Sequence, residues 1–466
     1  MSNEQAPSSQ ASTTDRETIA PLSLFETARG TAVKILMRYE SSDSYIDKLL
    51  DAELRRSELA AADKALVTEL VNGTVRWLSR LDWILTGFYH GEFTKCLALV
   101  RNSMRIALYQ MLFLSKIPPP AAINESVEIV KRYKGDRHAG IVNGVLRNVQ
   151  RSIGNIRYPP REENELLHLS VHSAHPLWMV RRYVERFGAA QAEALLNANN
   201  QRPMLTLRTH ATRFDVNQLV TILDAEQIKY EASSVHQASV LVTSLRDIRS
   251  LSAFADGLVS VQDASASLVV RLANPKPGML VYDLCAAPGS KAVFAAEIMN
   301  NEGLIIALDQ YSSKLQAVRD NARRAQVTIV EARHGDAREF SPEKLADIVL
   351  VDAPCSGLGT LSKKPDIKWR RSVDDIRRMA KRQAEILSHA ATLVKVEGAL
   401  VYSTCTIEPE ENQDVITGFL REYPNFELEP AEKHLAGNVC KDGFMQTFPH
   451  IHHCDGAFGA RLIRKR

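Results

Sequence analysis

Apolar residues recur at two periods along this chain, and the change from one to the other divides it. From 24 to about 150 they fall three and four apart, as in Phe25, Ala28, Ala32, Ile35, Leu36 and Tyr39, the stripe of an amphipathic helix. Pro118, Pro119 and Pro120 mark a break between helices, because proline removes a backbone donor and clashes with the preceding turn. Over 162–257 the pattern is mixed, with a helix predicted at 176–199 and then short strands and helices such as 204–208, 216–223 and 240–243. Beyond 258, unbroken apolar runs such as Ile305, Ile306, Ala307 and Leu308, or Val349, Leu350 and Val351, read as parallel strands buried on both faces. The pattern predicts a multidomain protein: a disordered tail over 1–21 rich in Ser, Thr, Gln and Ala, an all-α domain over 22–161, a small α/β module over 162–257, and a C-terminal α/β Rossmann-like domain over 258–466.

Composition narrows the class. A chain of 466 residues, 45% hydrophobic and 24% charged, can bury a core large enough for two or three domains. No apolar run reaches the length of a membrane span, and the N-terminal segment lacks the basic start and apolar middle of a signal peptide. Six cysteines in so long a chain argue against a disulfide framework and for a reducing cytoplasm; a monomer without membrane contact is expected. No Cys-x-x-Cys pair occurs, and the one Cys/His cluster, His450, His452, His453 and Cys454 with Cys440 upstream, does not have zinc spacing; no metal is expected.

The net charge of +3 says little, but its distribution says more. Residues 131–161 hold eight Lys or Arg against one acid, Asp136, and residues 363–382 hold nine against three Asp. The first run reads equally as a solvated face or as a track for phosphates, and a phosphodiester chain running from one to the other would use both.

Candidate chemistry concentrates at strand ends. Val351 leads into Asp352-Ala353-Pro354-Cys355, and Val401 leads into Tyr402-Ser403-Thr404-Cys405. In an open α/β sheet the ligand crevice runs along the carboxyl ends of the strands, so two thiols fifty residues apart and one carboxylate are expected to face one pocket. A lone cysteine is more often packed as a small hydrophobe; the shared placement beside Asp352 argues for chemistry. A further strand end, Asp283-Leu284, runs into the small-residue turn Cys285, Ala286, Ala287, Pro288, Gly289, Ser290 and Lys291 and then a helical pattern. Such a turn lets backbone approach a ligand, although it is neither a Walker A loop nor a Gly-x-Gly-x-x-Gly fingerprint. Asp309 ends the next strand about 20 residues past the turn, where a carboxylate can accept both ribose hydroxyls. It would serve equally as a helix N-cap. Asp336 follows a strand expected at 328–331. Acidic groups at successive strand ends suit a cofactor with a ribose, an adenine amine and a positive centre, and S-adenosyl-L-methionine has all three.

Cys285-Ala-Ala-Pro-Gly-Ser-Lys291, Asp352-Ala-Pro-Cys-Ser-Gly-Leu-Gly-Thr360, Lys364-Pro-Asp-Ile-Lys-Trp369 and Tyr402-Ser-Thr-Cys-Thr-Ile-Glu-Pro-Glu-Glu-Asn412 together resemble the motifs of RNA cytosine-5 methyltransferases. The likeness is strongest to the bacterial 16S ribosomal RNA cytosine-5 methyltransferases of the B type, because a helical region resembling the antitermination factor NusB comes first. Ser290 stands where Gly is usual, Lys363-Lys364 where Arg-His is, and Thr406 where Ser is commoner.

The resemblance implies a NusB-like RNA-binding domain, a small α/β module that helps hold RNA, and an S-adenosylmethionine-dependent methyltransferase domain acting on small-subunit ribosomal RNA. Carbon 5 of cytosine is a poor nucleophile until a thiolate adds to carbon 6, and Cys405 is the candidate for that addition. Asp352 would stabilise the charge that builds toward ring nitrogen 3. By resemblance, Cys355 releases the enzyme after methyl transfer, and the turn 285–291 with Asp309, Asp336 and Asp352 holds the cofactor. A transfer-RNA cytosine as the target, or a non-enzymatic RNA-binding or antitermination module, stay open as alternatives.

Overall fold

The computed structural model describes residues 24–466 apart from Ser244 and Arg246, so the tail expected at 1–21 lies outside the described residues. The chain forms two compact units, one of the described residues up to Thr74 with Ile84–Gly154, the other of Val75–Trp83 with Asn155–Arg466.

The first unit is helical throughout. Ala28–Glu40 buries Ala28, Ala32, Ile35, Leu36 and Tyr39, the stripe read from the sequence, and Thr27 caps it by accepting from the Gly30 N–H at 3.1 Å. Ala98–Phe113 buries nearly every position of its first three turns, and the proline triplet opens the long helix Pro119–Ser152. That helix is interrupted at Gly135, whose φ of 78° is left-handed and which carries no Cβ to oppose it. Lys131, Arg132, Lys134 and Arg137 are exposed on either side of this kink.

The second unit contains two sheets. Strands β1 (Leu205–Thr209), β2 (Tyr230–Ala232), β3 (Ser239–Val242) and β4 (Val259–Val261) form an antiparallel sheet in the order β2-β3-β1-β4. Ahead of it the expected helix over 176–199 is two helices, Leu177–Phe187 and Ala189–Asn199, because Gly188 between them adopts φ 76°. The larger sheet is built on β5 (Leu280–Asp283), β6 (Leu304–Asp309), β7 (Val330–His334), β8 (Ala346–Asp352) and β9 (Val394–Thr404), parallel in the order β7-β6-β5-β8-β9. It is extended antiparallel by β10 (Phe426–Glu429), β11 (Cys440–Lys441), β12 (Phe444–Thr447) and β13 (Ala457–Arg464). The third parallel strand begins two residues later than the sequence suggests, since Thr328 gives its N–H to the Asn301 side chain at 2.8 Å instead of to a strand.

Both faces of the parallel sheet are buried, and alternation along each strand sorts residues between them. Val281, Ile305, Ala307, Ile348, Leu350 and Val401 pack with Val293, Phe294 and Val318 of the helices Ser290–Ile298 and Ser312–Arg324. Tyr282, Ile306, Leu308, Val349, Val351 and Tyr402 pack with Ile386, Leu387 and Ile416 of Val373–Ala391 and Gln413–Glu422. Two-sided burial explains why the strands read as continuous apolar runs rather than as alternation. The chain reverses its direction of strand addition between β5 and β8, which places a crevice at their carboxyl ends.

A buried ion pair ties the small sheet to this layer. Arg208 on β1 meets Glu297 with Nη1–Oε2 at 2.5 Å and Nη2–Oε1 at 3.0 Å, gives Nε to Gln262, and lies over the Phe294 ring at 4.0 Å. Both side chains are almost fully buried, so deleting one partner strands the other charge at a cost of about 3–5 kcal/mol. Urea unfolding of Glu297→Leu is expected to show a loss of that size, and the Arg208→Met, Glu297→Leu double variant to recover much of it. A single-variant loss below about 1 kcal/mol, the range of a surface pair, contradicts this reading.

Candidate active site

β8 and β9 pair in parallel with Asp352 opposite Ser403, and the Ala353 N–H continues the ladder to Ser403 O at 2.8 Å. Both strands therefore stop at the same height. The chain leaves β8 through Pro354, Cys355 and Ser356 and leaves β9 through Cys405 and Thr406, which brings the two sulfurs to 3.2 Å. Cys405 is exposed and Cys355 half-buried, and both are free thiols. Equivalent residues one step on are also joined, the Ser356 and Thr406 hydroxyls lying 2.9 Å apart.

Asp352 is held from two sides. Its Oδ2 takes a hydrogen bond from Lys291 Nζ at 2.6 Å and its Oδ1 one from the Ser403 hydroxyl at 2.8 Å. Burial alone would make the Lys291 ammonium easier to deprotonate, but the Asp352 carboxylate more than offsets it and raises the lysine above its ordinary range. Cys405 is lowered below an ordinary thiol, first by the hydrogen bond with Cys355 and then by Lys291 and Lys364, against burial and the Asp352 charge.

The turn after β5 is closed by backbone bonds from the Leu284 N–H to Leu350 O at 2.9 Å and from the Ala286 N–H to Leu308 O at 2.8 Å. Gly289, at φ 96°, is required by packing: a Cβ there would sit 3.0 Å from Val318 Cα. Asp309 Oδ1 accepts from the Tyr311 N–H at 2.9 Å and Oδ2 from the Ala287 N–H at 3.3 Å, so it ties the end of β6 to the turn. Asp283 is buried, and neither of its carboxylate oxygens makes a hydrogen bond of normal geometry with the protein. Burial, together with the neighbouring Asp352, pushes it up to about 7. Three carboxylates at neighbouring strand ends, with the two Asp283 oxygens lacking a hydrogen bond of normal geometry, fit a cofactor with ribose hydroxyls and a positive centre, and the start of the helix Ser290–Ile298 suits an anionic group on it. Asp336 is differently placed. Both of its oxygens are engaged by Arg338, which lowers it to about 2.

The second basic stretch is divided between inward-turned and exposed side chains. Lys363 is turned inward onto Asp263 and Asp455, and Lys368 is buried with its ammonium on Arg76 O at 2.8 Å and Asn200 Oδ1 at 3.1 Å. Arg371 donates to Ser356 O at 3.0 Å, while Arg377 and Arg378 pair with Asp374 and Asp375. Lys364 and Lys381 are exposed. Of this charge, Arg371 braces the Cys355 loop, while Lys363 and Lys368 are spent on acids and carbonyls elsewhere. His452 spends both ring nitrogens on backbone groups of Phe448 and Asn438, and among the described residues no group of three or more His, Cys, Asp or Glu side chains is arranged to hold a metal.

Sequence reasoning missed several residues around the thiols. Glu411 turns inward to accept from the Ser356 N–H at 2.8 Å and from Gln383 Nε2 at 2.9 Å. Glu408, fully buried, takes Arg182 Nη2 at 2.6 Å. Both belong to the acidic run after Cys405, where composition does not distinguish the inward acids from Glu410. Gly359 gives its N–H to Cys405 O at 3.0 Å, and a Cβ on it would fall 1.9 Å from Gly456 O, so the loop closes only with glycine there.

Comparison with known proteins agrees with this architecture. Residues 270–463 match the family model of the 16S rRNA methyltransferase RsmB/F, 26–151 match the NusB family, and 175–249 match the RsmF/B-like ferredoxin-like domain. The probable ribosomal RNA small subunit methyltransferase B of Bacillus subtilis (strain 168) is 37% identical over 449 residues, 94% of this chain and 98% of that protein. The ribosomal RNA small subunit methyltransferase B of Klebsiella pneumoniae (strain ATCC 700721 / MGH 78578) is 34% identical over 88% of this chain and 92% of its own length. Among solved structures, that of PH0851 superposes with a TM-score of 0.78 at 25% identity, covering 95% of this chain and all of that one. NSun6 from Pyrococcus horikoshii with SFG shares the fold at a TM-score of 0.57 and 21% identity, over 63% of this chain and 99% of its own. With its NusB-like helices, its ferredoxin-like module and its methyltransferase sheet in one order, the chain belongs to the RsmB/F family of 16S rRNA methyltransferases, in the company of the ribosomal RNA small subunit methyltransferases B.

Proposed function

We propose that this protein methylates carbon 5 of a cytosine in 16S ribosomal RNA through a covalent adduct on Cys405, with S-adenosyl-L-methionine as the methyl donor. The observation that carries this reading is the meeting of Cys405, Cys355 and Asp352 at one crevice, with the sulfurs 3.2 Å apart. A methyltransferase acting on an exocyclic amine has no use for two thiols. A thiolate at Cys405 adds to carbon 6 and makes carbon 5 electron-rich. Charge building toward ring nitrogen 3 is met by Asp352, which shares a proton there with the Lys291 ammonium 2.6 Å behind it.

When bound, the cofactor supplies the electrophilic methyl group. Cys285, Ala286, Ala287, Pro288, Gly289, Ser290 and Lys291 would line its site, Asp309 would take its ribose, Asp352 would lie toward its methyl end, and Asp336 would have to share its pair with Arg338 to reach an adenine amine. Cys355 is assigned to release. The exposed Lys131, Arg132, Lys134 and Arg137 are read as phosphate contacts, and the enzyme as a monomer of the cytoplasm.

Incubated with 16S RNA and S-adenosylmethionine, the wild type is expected to yield 5-methylcytidine on nucleoside analysis and Cys405→Ala none. Cys355→Ala is expected to accumulate a ribonuclease-sensitive band of retarded mobility on a denaturing gel. A retarded band with Cys405→Ala that depends on Cys355 would exchange the two roles, and methylation at another atom would overturn the reaction. Replacing Lys131, Arg132, Lys134 and Arg137 by Gln is expected to weaken RNA binding and to flatten the slope of log affinity against log salt by roughly 0.7–0.9 for each lost phosphate contact. An unchanged slope makes that face ordinary solvated surface.

A further inference from the structure

The loop that carries Cys355 is held by groups outside it. Gln383 Nε2 donates to Pro354 O at 3.0 Å, Glu411 Oε2 accepts from the Ser356 N–H at 2.8 Å, the Thr406 hydroxyl meets that of Ser356, and Arg371 Nε donates to Ser356 O at 3.0 Å. Glu411 is fixed in turn, since Gln383 donates to the same oxygen and the buried Tyr402 hydroxyl donates to its carbonyl at 2.6 Å. Both chain neighbours of Cys355 are therefore immobilised, and the thiol between them is set against Cys405.

The surroundings of the two sulfurs differ in sign. Cys405 faces the ammonium groups of Lys291 and Lys364 as well as the Asp352 carboxylate. Cys355 faces the Glu411 carboxylate and Cys405 itself. Two thiolates in contact repel, so one proton stays between them, and it stays on the sulfur that faces the carboxylate. We propose that Glu411 is a positioning residue which, through the Ser356 N–H, aims the Cys355 S–H at the Cys405 sulfur, so that Cys355 prepares the nucleophile before RNA binds as well as releasing the product afterwards. This rests on the reading of Cys405 as the attacking thiol. The hydrogen bond with Cys405, then burial, raises Cys355 well above an ordinary thiol, while the same contact lowers Cys405.

The proton inventory closes. As the Cys405 lone pair enters the bond to carbon 6, Cys355 loses the anionic partner that held its proton, and that proton passes to solvent. After methyl transfer the Cys355 thiolate takes the proton from carbon 5, the C–H electrons form the ring double bond, and the carbon–sulfur pair returns to Cys405. The pair is left in the state from which Cys405 attacked, with one proton released per turnover.

Alkylation of the full-length protein by iodoacetamide across a pH series, read on the Cys405 peptide by mass spectrometry, tests this without RNA or cofactor. Each variant is normalised to its own high-pH plateau, which removes differences in access. Cys355→Ala is expected to raise the midpoint by about one pH unit, a roughly tenfold slower reaction below both midpoints. Glu411→Met, which keeps length but removes both acceptors, is expected to shift it the same way, and Glu411→Gln, which keeps one acceptor, to shift it less. An unchanged or lower midpoint in Cys355→Ala overturns the proposal, and a shift there without one in Glu411→Met overturns the part given to Glu411. Failure of the cytosine reading would show in nucleoside analysis and leave these midpoints untouched, so the two are told apart.

Discussion

Parallel pairing of β8 with β9, with Asp352 level with Ser403, is the constraint on which the site depends. A slip of one residue would exchange the faces of every side chain on β9, moving Leu400 and Tyr402 out of one buried layer and Ala399 and Val401 out of the other. Two-sided burial therefore enforces the registration, and the registration delivers Cys355 and Cys405 to the same point. The spacing of the two sulfurs is inherited from the core. The loops contribute the last few ångströms, through the Gly359–Gly456 approach on one side and the Glu411–Ser356 bond on the other.

A second physical theme is the concentration of acid at the crevice. Asp283, Asp309 and Asp352 end three strands of the sheet, and the ammonium of Lys291 lies against Asp352. A buried carboxyl without a hydrogen bond of normal geometry, such as Asp283, costs free energy. Its retention at a strand end is intelligible if a bound group with positive charge or hydroxyl donors completes it. The NusB-like unit differs, with its exposed charge gathered around the Gly135 kink.

How much of this was legible in the sequence varies with the range of the interaction. Helical periodicity over 28–39 and the buried runs in β6, β8 and β9 identified elements that tertiary packing kept, and adjacency of strand ends in an α/β sheet was enough to join Cys355, Cys405 and Asp352. Gly188 divides a helix that periodicity ran through, and Asn301 takes the Thr328 N–H that would have started β7 earlier. Both are local, and both were visible only once the competing partner was in place. The basic run over 363–382 divides in a way the sequence does not mark, because charge counts carry no direction: Lys368 and Lys364 differ by four positions, yet one is buried against carbonyls and the other is exposed. Glu411 and the Arg208–Glu297 pair join residues distant in the chain, and nothing in composition marks a long-range polar bond.

The central claim, that Cys405 is the sulfur that joins the base, is tested most directly with 16S RNA carrying 5-fluorocytosine. Fluorine on carbon 5 cannot leave as a cation, so an adduct that has accepted the methyl group cannot release the enzyme, whatever acid or base stands beside it. Protease and ribonuclease digestion followed by mass spectrometry of the wild-type complex should then find the methylated fluorinated nucleotide on the peptide that contains Cys405, with the Cys355 peptide unmodified. Attachment at Cys355, or complete turnover with no attached peptide, would contradict the account.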